Sequence, residues 1–227
     1  MNIKLFNSVP YSNKEEFIAG LTELGRLLNL NFEVDTFNNK ENGYIMYYPE
    51  NIYTGISFIF TTSNFSAYLY NNNYYSDSVL SSLKYSSYYI YYAISDDKKT
   101  VALGFNNSAT TPILSIFMTS AVNLTDPNDE IIVFGAQPFS SPKGLIVSKD
   151  FYEVGSYNSS ILKKDNLVIL SPIATLLQNK CYKLHNIYIT NTFKSTASTQ
   201  EFLLNNKYYV SSAYPNDSYS PVWVMQI

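Results

Sequence analysis

His185 and Cys181 are each the only residue of their type in the chain, and both types can perform acid–base or nucleophilic chemistry. His185 would have to act as the base of any Ser-His-Asp arrangement, yet it lies in an alternating strand pattern and the chain contains no Gly-x-Ser-x-Gly motif. Cys181 would become nucleophilic only beside a base that lowers the pKa of its thiol. We therefore predict a surface or cross-strand histidine, a small buried cysteine and no catalytic residue.

Metal and cofactor sites need sets of ligands that this composition does not supply. A single cysteine excludes an intramolecular disulfide and a cysteine-based zinc site. Asp126, Asp129 and Glu130 do not have the spacing of a calcium-binding loop, so we interpret them as a solvated turn. Neither a phosphate-binding Gly-Lys-Ser/Thr loop nor a dinucleotide fingerprint occurs. The sequence predicts no metal and no cofactor, although its 18 Asp and Glu residues leave a small glycan hydrolase open as an alternative.

The chain contains 22 tyrosines, many of them in clusters at residues 44–48, 68–75 and 208–219. Tyrosine offers a large ring, few rotatable bonds and a polar hydroxyl, so these clusters suit stacking on sugar rings or contact with another protein. A bias toward AT-rich codons explains most of the tyrosines, because Asn, Ser, Ile and Lys are also abundant and Arg26 is the only arginine. We assign an interface role to only some of them.

The balance of charge and hydropathy limits the partners. A net charge of −3 provides no basic surface for phosphates, so we do not expect nucleic acid as a partner. No run approaches the roughly 18 apolar residues of a membrane span, and the first residues lack the apolar core of a signal peptide. We therefore expect a protein that is made in a cytoplasm and has no membrane partner.

One amphipathic helix is predicted near the N-terminus. Ser12-Asn13-Lys14-Glu15 has the form of a capping box, in which the Ser12 hydroxyl accepts from the Glu15 amide and the Glu15 carboxylate reaches back. We predict a helix over residues 13–28 whose apolar side packs on a sheet built from residues 88–147. The apolar residues at helical spacing are Phe17, Ile18, Leu21, Leu24 and Leu28.

Residues 85–150 are predicted to form antiparallel strands joined by short turns. Aromatic and β-branched residues at 88–94 and apolar residues at 100–105 flank the turn residues 95–98, which is the pattern of a hairpin. The apolar run at 113–122 is also interpreted as a strand. Together with strands at 130–135 and 145–147, these elements are sufficient for a sheet that is stable when one face is covered.

Further elements are predicted outside this stretch. Hairpins are expected at 31–37 with 43–48 and, around the turn Asn205-Asn206-Lys207, at 201–204 with 208–210. Single helical turns are predicted at 78–83 and 173–177, and an irregular loop at 152–158. The other predicted strands are at 3–9, 55–61, 67–70, 166–172, 183–190 and 222–227.

The predicted fold class is α+β, mainly β, with antiparallel sheets or a β-sandwich and one N-terminal amphipathic helix packed on it. The length allows one domain or two, since domains commonly have about 100–200 residues. We predict that residues 1–227 form a single β-rich domain, with a subdivision near 150–165 as the alternative.

Four parts of the chain form a combination found in a known class of proteins. They are the helix at 12–28, the tyrosine-rich strand followed by residues 99–105, the segment Ile131-Ile132-Val133-Phe134-Gly135 followed by 144–148, and the closing segments 207–210 and 223–227. In these features the sequence resembles small structural proteins of tailed bacteriophages and phage-tail-like particles. Some of those chains have a histidine just before the Phe-Gly strand, which this chain lacks.

The resemblance implies a non-enzymatic virion component of the tail, neck or collar, which binds other virion structural proteins and copies of itself. Tyrosines and the two chain ends would lie in the interfaces, with Tyr214, Tyr219 and Trp223 as the candidate residues. For Trp223, a core position that closes the sheet is an equal alternative. The alternative function is a carbohydrate- or receptor-binding module of the same kind of particle.

Overall fold

The computed structural model describes residues 2–38, 40–72, 74–76, 78–136, 144–149, 151–155, 171–177, 179–190, 199, 201–212 and 222–227. Strands make up 51% and helices 10% of the structure, with antiparallel sheets and one helix near the N-terminus, so the predicted mainly β, α+β class is confirmed. The helix is α1 (Lys14–Leu27), and the strands are β1 (Lys4–Leu5), β2 (Asn31–Val34), β3 (Gly43–Tyr47), β4 (Gly55–Phe60), β5 (Asn64–Asn71), β6 (Tyr74–Tyr75), β7 (Leu80–Lys84), β8 (Tyr89–Ile94), β9 (Val101–Asn106), β10 (Ile116–Asn123), β11 (Glu130–Ala136), β12 (Gly144–Ser148), β13 (Phe151–Gly155), β14 (Ser171–Leu177), β15 (Lys180–Thr190), β16 (Glu201–Leu204), β17 (Lys207–Ser211) and β18 (Val222–Gln226).

Helix α1 has its capping box one residue later than the sequence pattern predicted. Asn13 is the N-cap instead of Ser12, and its Oδ1 accepts the amide of Glu16 at 2.8 Å. The Glu16 carboxylate in turn accepts the amide of Ser12 at 3.0 Å. The two patterns overlap in the sequence, and the one used places Asn, which caps a helix as well as Ser does, three residues before Glu16.

The smaller sheet has the strand order β2-β3-β4-β5-β6, and β7 pairs with β5 beside β6. The hairpin predicted for residues 31–37 and 43–48 is confirmed as β2 and β3. The helical turn predicted at 78–83 is wrong, because Leu80 pairs with Ala67 and Leu83 with Phe65 to form β7. The open edge of β5 supplies backbone hydrogen bonds that a single isolated helical turn cannot match.

The larger sheet has the strand order β1-β8-β9-β10-β15-β18-β17-β16, with β11, β12 and β13 branching from β10 and β14 pairing with β15. The predicted strand at 222–227 is confirmed as β18, an interior strand between β15 and β17. Residues 173–177, predicted as a helical turn, belong to β14, and residues 152–155 of the loop predicted at 152–158 belong to β13. In both cases pairing with a neighbouring strand outweighs a weak local signal. Of the strand predicted at 166–172, residues 166–170 lie outside the described residues and residues 171–172 begin β14.

The larger sheet is curled, so that the two ends of its strand order meet. One carboxylate oxygen of Glu201 in β16 accepts the amides of Asn2 and Ile3, just before β1, at 2.9 Å each. The hydroxyl of Thr199 accepts the amide of Leu114 at 2.7 Å, which fixes the same end to the β9–β10 connection. The inner face of the curl has its own core, which includes Ile3, Tyr91, Ala102, Phe117, Leu184, Ile187, Val210, Trp223 and Met225.

The main core lies between the two sheets and is closed by α1. Phe17 and Leu24 of α1 are fully buried. The Phe17 ring centroid lies 4.8 Å from that of Phe65 in the smaller sheet and 6.5 Å from that of Phe105 in the larger one. The helix therefore packs against both sheets, whereas the sequence predicted only a sheet made from residues 88–147. The strands of the larger sheet alternate between the two cores, as in β9, where Phe105 faces the main core and Ala102 the inner one.

Candidate functional site

His185 is partly exposed in β15, and its imidazole contacts the carboxylate of Asp97, which lies in the turn between β8 and β9. The Nε2 atom of His185 contacts one oxygen of the Asp97 carboxylate. The other oxygen accepts the Ser95 hydroxyl at 2.6 Å and the Lys99 amide at 3.0 Å. Burial alone would raise the pKa of Asp97, but the hydrogen bonds from Ser95, His185 and the Lys99 amide outweigh it and hold this pKa well below its ordinary value.

Local backbone features bring this pair together across 88 residues of sequence. Lys98 has a φ of 60°, which closes the turn that carries Asp97. Asn186 has a φ of 54° within β15, and this left-handed residue places the Asn186 amide 3.3 Å from the Asp97 carboxylate. The buried hydroxyls of Thr100 and Thr119 donate to the backbone carbonyl of His185 at 3.2 and 2.7 Å. These two hydrogen bonds hold β15 against β9 and β10.

The arrangement differs from a Ser-His-Asp triad. In a triad the histidine uses one ring nitrogen toward the aspartate and the other toward the serine. Here Ser95 donates to the same carboxylate that His185 contacts, so both groups bind Asp97. The pair therefore orders the turn and the imidazole, in agreement with the surface histidine that the sequence predicts.

The carboxylate of Asp129 is the centre of a second polar cluster, at the start of β11. It accepts the Lys180 ammonium at 2.7 Å, the Tyr182 hydroxyl at 2.8 Å and the Asn123 amide at 3.0 Å. The Lys180 ammonium first, with the donors from Asn123 and Tyr182, lowers the pKa of Asp129 from 3.8 to about 2. The predicted solvated turn is thus an ordered contact between β11 and β15. Cys181, predicted to be buried, is a free thiol that is half-buried next to it.

Replacing Lys180 with Met should raise the pKa of Asp129 from about 2 toward 3.8, because the largest stabilising interaction of the carboxylate is lost. A folded-state pKa below the unfolded one means that this carboxylate stabilises the fold above pH 4 and loses that effect as the pH falls toward 2. The measurement is an NMR titration of the Asp129 side-chain carboxyl. Lys84→Met, at an exposed position that makes no ion pair with a described residue, is the control and should leave this pKa in place. An unchanged Asp129 pKa in the Lys180 variant would contradict the role of the Lys180 ammonium as its main cause.

A groove of about 430 Å³ opens beside His185, where β10, β15, β18 and β17 run next to each other. Its walls combine ammonium, imidazole, amide and phenol groups. The Lys207 ammonium donates to Gln226 Oε1 at 3.4 Å across the groove edge. The residues that line the groove are Val122, Asn123, Leu124, Lys183, Leu184, His185, Asn186, Tyr188, Lys207 and Gln226.

The β16–β17 hairpin forms one end of the larger sheet and is apolar on both faces. The predicted turn is confirmed at Asn205 and Asn206, which have φ values of 50° and 62°, whereas Lys207, predicted as the third turn residue, pairs with Leu204 in β17. Leu203 and Tyr208 are direct cross-strand neighbours, 56% and 54% exposed. On the other face, the Phe202 ring stacks on Tyr209, with centroids 5.4 Å apart. Among the described strands, β16 pairs only with β17.

The three residues predicted for interfaces have different outcomes. Tyr214 and Tyr219 lie outside the described residues. Trp223 is 3% exposed, and its ring packs edge-on against Phe117 at 5.3 Å in the inner core. The core alternative is therefore the position that the structure shows for Trp223. The sequence did not single out Leu203, whose exposure depends on the hairpin being the last element of the sheet.

The fold and this site define a mainly β protein of two antiparallel sheets and one N-terminal helix, with a polar groove beside an apolar edge hairpin. No protein-family model matches the chain, and comparisons with curated proteins and with solved structures found no match. In the part of the chain that the structure describes, no helix combines the length and apolar character needed to cross a membrane. The same residues contain no group of three or more His, Cys, Asp or Glu side chains placed to bind a metal ion.

Proposed function

We propose that this protein is a non-enzymatic structural subunit of a phage or phage-tail-like particle, located in its tail, neck or collar. It would be held there by protein–protein interfaces with other virion structural proteins and with copies of itself. The resemblance described above supports this role. The observation on which the proposal depends is the β16–β17 hairpin, which carries apolar side chains on both faces at the end of a sheet.

The hairpin has the properties of an assembly surface. Leu203 and Tyr208 are cross-strand neighbours and are both more than half exposed. Burying their apolar surface against another subunit would stabilise the contact by about 25 cal/mol per Å². Tyrosine is enriched among the residues that contribute most to protein interfaces. Among the described strands β16 pairs only with β17, and addition of a neighbouring subunit's strand to the last strand of a sheet is a recurring mode of protein contact. Only 15% of the residues are charged, which reduces the free-energy cost of removing water when such a contact forms.

Replacing Leu203 and Tyr208 together with Lys should abolish assembly, because two charges would have to be buried in the contact. Incorporation into particles and the sedimentation of the purified protein are the measurements. We expect loss of both particle entry and self-association, while the far-ultraviolet circular dichroism and the melting temperature of the isolated protein stay close to wild type.

Val34→Lys is the matched control, since Val34 is 54% exposed and lies in β2, outside the hairpin and away from both chain ends. It should enter particles like the wild type. Normal incorporation of the double variant would contradict the proposal, and so would turnover of a cell-wall or capsule polymer by the purified protein. The neighbouring genes give an independent test, because a structural subunit is expected among tail and capsid genes.

The groove favours a second function, carbohydrate or receptor binding by the same kind of particle. Its volume of about 430 Å³ lies in the range of small-ligand sites, about 300–1,000 Å³. A tyrosine ring next to amide side chains is a combination that can bind sugars, through stacking and through hydrogen bonds to hydroxyls. Binding to a glycan array would support this function.

A further inference from the structure

The groove beside His185 has a positively charged wall in a negatively charged protein. Lys183 and Lys207 line it, and no Asp or Glu is among its described lining residues, although the chain has a net charge of −3. The carboxylate of Asp97 contacts His185 and Asn186 without lining the groove. A concave surface that carries charge of one sign attracts ligands of the opposite sign.

Neither lysine of the groove has an acidic partner among the residues that the structure describes. The ion pairs of the described residues involve Lys99, Lys180 and His185, and neither Lys183 nor Lys207 takes part in one. The contact of Lys207 with the neutral Gln226 oxygen, at 3.4 Å, is long. An ammonium group donates up to three hydrogen bonds, so an incoming carboxylate can bind without displacing a protein partner.

The remaining walls suit the body of a sugar ring. Tyr188 lines the groove and is oriented by an edge-on contact with Tyr209, whose ring centroid lies 6.1 Å away. A tyrosine face held in this way can stack on the C–H groups of a pyranose, while Asn186 and Gln226 offer amide groups to its hydroxyls. The Asp97 carboxylate contacts both the Asn186 side-chain amide and the His185 imidazole, so it holds these two lining residues in place.

We infer that this groove binds an acidic saccharide, that is, a sugar with a carboxylate that Lys183 and Lys207 contact while its ring stacks on Tyr188. The inference rests on the carbohydrate-binding function proposed above and names its substrate class. Lys207 belongs to β17 of the hairpin proposed for assembly, but an isolated subunit already contains the whole groove wall described here, so binding is tested without assembly.

The test is a titration of the purified full chain with glucuronic acid, glucose and sodium sulfate, followed by NMR or calorimetry. Glucuronic acid should bind saturably and at least about tenfold more tightly than glucose, because a charge-assisted hydrogen bond contributes that much or more. Lys183→Met combined with Lys207→Met should weaken glucuronic acid binding at least about tenfold, whereas Lys84→Met should leave it unchanged. Tyr188→Ala should weaken glucuronic acid and leave sulfate binding as in the wild type.

Each other outcome overturns a defined part of the inference. Equal affinity for glucose and glucuronic acid would contradict the preference for an acidic sugar, but it would still support carbohydrate binding. Sulfate binding as tight as glucuronic acid binding, with no effect of Tyr188→Ala, would show an anion site without sugar recognition. Failure of all three compounds to bind, together with a negative glycan array, would contradict both the inference and the carbohydrate-binding function.

Discussion

Replacing Phe17 with Ala should lower the free energy of unfolding by about 3–5 kcal/mol, because a fully buried ring is removed from the main core and a cavity remains. The Phe17 ring contacts those of Phe60 and Phe65 in the smaller sheet and Phe105 in the larger one, so its loss loosens both sheets at once. Leu24→Ala, two turns further along the same face of the helix, should cost about 2–5 kcal/mol. Urea unfolding of each variant is the measurement.

Leu27→Ala is the matched control for this core. Leu27 lies on the same helix as Leu24 but is 50% exposed, whereas Leu24 is fully buried. We expect Leu27→Ala to cost less than about 1 kcal/mol. A cost below about half a kcal/mol for Leu24→Ala would mean that the helix does not contribute to the core.

Replacing Gly104 with Ala should prevent folding of the larger sheet or force β9 away from the chain that leads into β10. A Cβ atom at Gly104 would lie 1.5 Å from the Ile113 carbonyl oxygen and 2.7 Å from the Leu114 Cα. Backbone atoms cannot move aside as a side chain can, so the cost should exceed the roughly 1–3 kcal/mol that is typical of overpacked cores. Loss of soluble, cooperatively unfolding protein is the expected result.

Gly25→Ala provides the control for Gly104→Ala. The nearest atom to a Cβ there is the Leu30 carbonyl oxygen at 3.1 Å, and the position lies within α1, where Ala is favoured over Gly by about 1 kcal/mol. The two effects offset each other, so stability should stay near that of the wild type. A Gly104→Ala variant that melts at the wild-type temperature would contradict the close backbone approach.

The sequence predicts elements well where the signal is local and repeated. The apolar spacing of α1 extends over four turns, and its predicted extent is correct to within one residue at each end. The Asn205–Asn206 turn is predicted because two consecutive left-handed residues are typical of a two-residue hairpin. In both cases the residues that determine the conformation are close together in the chain.

The predictions fail where a distant partner determines the conformation. Residues 78–83 and 173–177 are short segments whose pattern fits a helical turn as well as a strand, and only pairing with β5 and β15 selects the strand. The same holds for the candidate site. Asp97 and His185 were each visible in the sequence, but their pairing requires the order β9-β10-β15, which no local pattern encodes.

The interior position of β18 determines when the larger sheet can form during synthesis. The ribosome makes β18 after every other described strand, yet β15 and β17 are joined through it. The Glu201 carboxylate likewise accepts the amides of Asn2 and Ile3, which are 199 and 198 residues away in the sequence. Pairings so distant in sequence fold slowly, and they leave open strand edges on the nascent chain. The smaller sheet and α1, complete by residue 84, can form early, whereas the larger sheet can close only after translation of β18, and its unpaired strand edges stay exposed to aggregation until then.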